Sequence, residues 1–220
     1  MDHILALLTL LHLLVPIYWL GGDLGTFLSG QVLKNPAYSP EERLLALKIL
    51  LNCDMGPRTA LILAFPTGFA LAVAKGWLAA PGWAVALIWL AGLAWLAIAW
   101  AIHLKHGPAA NPYRKVDTLI RQVALAALLA AGIAGLAGAL ALPKFLAIKL
   151  LLLAAGIALG LLIRRQLAPL FPAVGALRAH GATEGTNAAI AGVLSRTTRS
   201  VMCIWAIVLL ASLAGIATPL

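Results

Sequence analysis

The sequence predicts an all-α integral membrane bundle of about six transmembrane helices, forming one domain over residues 1–220. Three observations predict it. Hydrophobic residues make up 63% of the 220 and charged ones only 10%, against about 25% charged in a soluble domain. Several apolar runs exceed the ~18 residues that cross a bilayer, and mean hydropathy is +1.00. The basic residues sit between those runs, where they fix topology. No long polar stretch is left for a second, soluble unit.

The first helix runs from Ile4 to Leu33 and ends at Lys34-Asn35-Pro36, because the residue before a proline is pushed out of the helical region. Its start lacks a basic n-region and a clear small-residue cleavage site, so it reads as a retained helix and not a signal peptide. The second helix has the sharpest start. Ser39 with Glu42 forms a capping box, and Pro40 suits the first helical position. Its opening turns are amphipathic, with Arg43 and Lys48 among leucines. Its membrane part runs from Leu44 to Ala74, with kinks expected at Pro57 and Pro66.

The third helix, Trp83 to Leu104, is rich in tryptophan. A linker, Lys105 to Arg114, carries Gly107-Pro108 and Asn111-Pro112. The fourth helix spans Val116 to Leu142, and the fifth Pro143 to Leu167. The polar stretch Phe171 to Ser195 reads as partly helical at the membrane surface, and the sixth helix as Thr198 to Ala217. Gly132, Gly135, Gly138, Gly156 and Gly160 read as close-packing positions. Trp77 and Trp83 read as interfacial anchors.

Lys and Arg counts orient the chain. The first, third and fifth loops are basic, whereas the second carries only Lys75 and the fourth only Lys144. The odd loops are therefore expected in the cytoplasm, with both termini on the outer, periplasmic side of a bacterial-type inner membrane. The net charge of +9 belongs to this pattern and not to nucleic-acid binding. Cys53 and Cys203 both lie in apolar segments and make no disulfide signature.

Ionisable residues inside a bilayer cost several kcal/mol if unpaired, so each is a functional candidate. Here they are His12, Asp23, Asp54, Arg58 and Lys149, with His103 and Arg121 nearer the cytoplasmic ends. At a helical rise of about 1.5 Å per residue, His12 falls about 12 Å from the outer surface, and Arg58 and Lys149 about 9 Å. Three basic groups from three helices would then share one outer layer. Asp54 can pair with Arg58 at i, i+4, and Asp23 with Arg121. Each also has a structural reading: an intrahelical ion pair, a snorkelling lysine, a core histidine with a partner. His3, His106 and His180 read as solvated or interfacial. A cationic pocket with one histidine suits an anionic, largely apolar ligand. Haem has that chemistry, with imidazole on iron and cations on propionates; a quinone or another membrane-soluble acid meets it less specifically.

Leu11-His12, Trp19 and Gly21-Gly22 in the first helix resemble the start of the copper-resistance D (CopD) family and of the related HemJ-type membrane protoporphyrinogen IX oxidases. Phe145 to Leu151, with Lys149 near the start of a leucine-rich helix closing on Arg164-Arg165, is a second likeness. The segment Asn52-Cys53-Asp54-Met55-Gly56-Pro57-Arg58 belongs to neither pattern. The resemblance implies haem b, with the functional histidine at His12 and the functional lysine at Lys149. On that reading the chain is an oxidoreductase passing electrons to a quinone or respiratory partner. A second axial ligand would be Met55, Met202 or another histidine, or be absent. Arg58 and Lys149 would hold propionates or the acidic groups of a porphyrin substrate, and Asp54 would relay protons.

The alternative is a copper-binding or copper-transport protein using Cys53, Met55 and His12, which are soft or borderline ligands. The basic neighbours and the scarcity of sulfur, three Met and two Cys, count against it. A small scaffold subunit or a transporter is the third reading, although no internal repeat is evident. Expected partners are the lipid bilayer, the electron acceptor and a further copy of the chain as a homo-oligomer. CxxCH, P-loop, HExxH and GxSxG motifs are absent.

Overall fold

A computed structural model describes residues 3–105 and 107–217. Among them every regular element is helical: α1 (His3–Lys34), α2 (Pro40–Cys53), α3 (Met55–Ala74), α4 (Gly82–Leu104), a 3₁₀ turn (Gly107–Ala110), α5 (Asn111–Leu136), α6 (Lys144–Leu167), α7 (Leu170–His180) and α8 (Glu184–Ile216). Six spans are long and apolar enough to cross a membrane, with α2–α3 and α6–α7 each counted as one. His106 lies outside the described residues.

The burial pattern fits a lipid solvent. Leucines and isoleucines such as Leu7, Ile17, Leu87, Leu90, Leu119 and Leu209 face outward, whereas Asp23, Asp117 and Arg121 are buried inside. Apolar outside and charged inside is the arrangement a bilayer favours. The chain is a multi-pass membrane protein.

The spans form a closed ring in the order α1, α3, α4, α5, α6, α8, with α3 also touching α6 across the middle. One apolar cluster, around Trp19, Leu61, Leu128, Ile157 and Ile204, fills the centre. A second, around Leu33, Leu50, Leu170, Leu177 and Ile190, closes the end where α2 and α7 lie. The Lys- and Arg-rich loops are at this second end, called the basic end below.

The capping box at Ser39 and Glu42 is present, with both reciprocal bonds made. The span that follows does not bend gently at Pro57; it breaks at Asp54 into α2 and α3. Pro57 has no N–H for the Cys53 carbonyl four residues back, and its ring crowds that carbonyl. α1 crosses here at Gly22, where a Cβ would stand 2.9 Å from Cys53 O and 3.2 Å from Pro57 Cγ. Only glycine lets α1 lie on the break.

Three boundaries differ from the sequence-based expectation. α5 starts at Asn111, not Val116, with Pro112 in the first turn, where its missing N–H has no helical partner in any case. α5 ends at Leu136, not Leu142, because Gly138 turns left-handed at φ +77° and Ala139 N–H returns to Ala134 O at 2.9 Å. Gly138 is thus a helix-end residue, whereas Gly132 and Gly135 do pack on α6. α8 starts at Glu184, fourteen residues before the expected Thr198. Its capping box uses a hydroxyl in place of the usual Glu: Thr183 N–H donates to Thr186 Oγ1 (2.9 Å), and Thr186 N–H to Thr183 Oγ1 (3.2 Å).

Arg43, expected on an amphipathic surface turn, is fully buried. Its Nε donates to Leu33 O (2.8 Å) and its Nη1 to Asn187 Oδ1 (2.7 Å). One guanidinium therefore satisfies a last-turn carbonyl of α1 and joins α2 to α8. Arg43→Ala strands both acceptors, and we expect it to lower stability by about 3 kcal/mol. Thermal unfolding in mild detergent reads this; an unchanged midpoint would contradict the joint.

Candidate functional site

The expected outer layer divides into two places. His12 and Lys149 do come together, at the end opposite the basic one. His12 Nδ1 lies 2.9 Å from Thr67 Oγ1, and Thr67 Oγ1 donates to Leu63 O at 2.7 Å. A hydroxyl has one proton, so when Thr67 gives it to Leu63 O it accepts from His12 Nδ1–H, which leaves the lone pair on Nε2. The ring lies over Gly68, where a Cβ would stand 3.0 Å from Cε1. Lys149 is within electrostatic range of His12. Its Nζ comes within 2.7 Å of where a Cβ on Gly215 would stand, in the last turn of α8. A cation suits that helix end.

Arg58 is not in this layer. It stands nine residues before Thr67 on α3, about 14 Å along the axis. The depth count began at Leu44, but Leu44 to Cys53 belong to α2 at the basic end, so Arg58 falls near the middle of the bundle. The expected Asp54–Arg58 ion pair is made. Met55 is buried twelve residues before Thr67, about 18 Å away. The structure does not bring it together with His12. Cys53 packs against Gly25 near the same break, Met202 faces outward, and His103 stacks edge-on to Trp100 at 5.9 Å. His3 and His180 are exposed.

The expected Asp23–Arg121 pair is replaced by a cluster the sequence reading missed. Asp117 is fully buried; it accepts from Arg121 Nε at 3.1 Å and Trp95 Nε1 at 2.7 Å and is ion-paired with Arg164 Nη1 at 2.6 Å. The Trp95 ring also lies under the Arg121 guanidinium, 5.3 Å from its centroid. Asp23 makes no ion pair among the described residues; it sits beside the indoles of Trp19 and Trp205. The signal for the cluster was present. Asp117 and Arg121 are four apart and so share a helix face, but placing the helix start at Val116 left Asp117 at an exposed end. Arg164 was counted only as a topology residue.

These groups meet at a cavity of about 250 Å³ inside the ring. Asp23, Asp54, Arg58, Arg121 and Arg164 supply its charged wall, and Trp19, Phe27, Leu61 and Ile204 are among its apolar ones. His12 and Lys149 do not line it. Arg121 is buried, and its Nη2 has no partner among the described residues. Small residues, Gly156 and Gly160, leave the space on the α6 side. Among the described residues no three His, Cys, Asp or Glu side chains gather as a metal site.

No protein-family model, curated protein or solved structure matches this chain.

Removing the Asp117 carboxylate leaves two arginines facing each other in the bundle. Asp117→Ala is expected to cost about 3 kcal/mol or more. Asp54→Ala breaks a pair about a third exposed and should cost about 1 kcal/mol or less. Unfolding midpoints of the two variants in the same detergent rank them. Equal shifts would deny Asp117 its structural weight.

Proposed function

We propose that the chain binds the acidic head of an otherwise apolar molecule in the arginine-walled cavity. The observation that carries this is the buried Arg121 of the cavity wall, whose Nη2 has no partner among the described residues. Leaving a charged donor unsatisfied costs more than the roughly 1–3 kcal/mol of a neutral one, so an acceptor belongs there. Charge points the same way. Asp54 neutralises Arg58, while Asp117 neutralises only one of Arg121 and Arg164. That cluster keeps one positive charge in surplus. At about 250 Å³ the cavity is smaller than the ~300–1,000 Å³ of sites that enclose drug-sized ligands. It suits a head group whose apolar remainder lies among the helices. A carboxylic, sulfonic or phosphoric amphiphile has this chemistry; a quinone offers only neutral carbonyl acceptors. In the orientation we propose, the basic end faces the cytoplasm of a bacterial-type inner membrane and both termini face outward.

A second reading rests on its own observation, the hydrogen bond between His12 Nδ1 and Thr67 Oγ1. Metal-bound histidines commonly donate their other ring N–H in this way. Under the resemblance to CopD and HemJ-type proteins, His12 Nε2 would ligate haem b, Lys149 would hold a propionate, and the chain would pass electrons to a quinone or respiratory partner. The residues fit haem only in part. Met55 and Arg58 stand about 18 and 14 Å along α3 from Thr67, so they do not complete the site. The copper alternative keeps Cys53 and Met55 near the helix break, without His12.

Two measurements separate the readings. A pyrene-tagged alkylsulfonate, titrated into the protein in nanodiscs, should bind saturably, and Arg121→Gln should weaken it about tenfold or more. Arg164→Gln, which leaves the Asp117–Arg121 pair, should also weaken it. Unchanged affinity in both folded variants would overturn the cavity reading. For the second, absorption spectra of oxidised and reduced protein should show a Soret band that is lost in His12→Ala and weakened in Thr67→Val. Folded wild type with neither a Soret band nor copper ends both metal readings.

A further inference from the structure

Asp23 is the one carboxylate on the cavity wall that has no ion pair among the described residues. It is 9% exposed, close to the middle of α1, and lines the same cavity of about 250 Å³ as Arg58, Arg121 and Arg164. Resting on the cavity reading above, we infer that the acidic head binds together with one proton, carried on the Asp23 carboxyl.

Charge balance in a small space decides this, with Asp23 and Arg121 buried and Asp54, Arg58 and Arg164 about a third exposed. With every group ionised, the Asp54–Arg58 pair is neutral, the Asp117 cluster carries one surplus positive charge, and Asp23 carries one negative charge. An empty cavity is then balanced overall. Bringing in an anion without a proton puts two negative charges against one surplus positive charge. Like charges at close range in a low dielectric repel by several kcal/mol. A proton on Asp23 removes that repulsion and turns an acceptor into a donor that can bond the incoming oxygen.

Other groups near Asp23 do not supply this charge. The α2–α3 junction brings Asp54 to the same cavity, α3 Arg58, α5 Arg121 and α6 Arg164, and the Cys53 thiol of α2 lies against Gly25 of α1. α8 presents Thr197, Thr198 and Ile204 to the cavity and the Trp205 indole to Asp23. Asp23 and its paired neighbour Asp54 are the carboxyls on the cavity wall. Asp54 is held by Arg58, which leaves Asp23. By linkage, a proton taken up with the ligand makes the ligand bind more tightly as pH falls.

A zwitterionic ligand would use the same wall differently, with a cationic group on ionised Asp23, and the two cases have opposite signatures. The alkylsulfonate probe does not titrate, so any pH dependence belongs to the protein. Titrated between about pH 5 and pH 9, wild type should lose affinity as pH rises, approaching about tenfold per pH unit. Asp23→Asn, neutral at every pH, should bind as tightly as wild type at the acid end and show no such dependence. A flat wild-type profile overturns the proton linkage. So does an Asp23→Asn variant bound about tenfold more weakly than wild type at low pH. Absence of saturable binding in both proteins at every pH overturns the cavity reading itself, and this inference with it.

Discussion

The Asp117 carboxylate is the interaction on which the interior depends. It is fully buried, and it draws an arginine from its own helix, an arginine from α6 and an indole from α4 to two oxygens. A single carboxylate in hydrocarbon is prohibitively costly; with two guanidiniums and a third donor it is tolerated. The bonds fix the relative height of α4, α5 and α6, three consecutive members of the ring. They also leave one buried guanidinium nitrogen of Arg121 without a partner among the described residues. Structure and binding chemistry are therefore parts of one arrangement: the two arginines around Asp117 carry one positive charge more than it neutralises.

The other half of the cavity comes from a backbone event. Pro57 interrupts the ladder at Cys53, and Gly22 lets α1 lie directly on the interruption. Asp54 falls at the junction, with Arg58 one turn into α3, so both side chains are delivered to the middle of the bundle. The segment from Asn52 to Arg58 is thereby explained as a local structure: a break, a crossing and an ion pair. At the far end the His12–Thr67 pair is a separate, smaller polar island.

Much of the fold was legible because lipid imposes a simple rule on composition. The six spans, the Ser39–Glu42 cap and the Asp54–Arg58 pair all followed from hydropathy and i, i+4 spacing. What was not legible depended on rotation and on small shifts of phase. Counting depth from Leu44 moved Arg58 outward by several turns, because nothing in the hydropathy marks where α2 gives way to α3. Reading Asn111-Pro112 as loop hid Asp117 at a helix end. The Thr183–Thr186 cap lacks the Glu that usually reveals such a start, so the first half of α8 read as surface. Arg164 and Arg43 looked like topology charges, because a linear sequence does not say which arginine in a basic loop turns inward.

The spacing of Asp117 and Arg121 also bears on how the chain is made. α5 is synthesised before α6, so it reaches the membrane-insertion machinery without Arg164. Because its buried acid and base lie on one helix face and bond each other, they can enter lipid as a neutral pair, with Arg114 and Lys115 left at the helix start. The surplus charge arrives only with the next span, after a neighbour exists to receive it. The order of the residues along the chain is thus also a schedule for biogenesis.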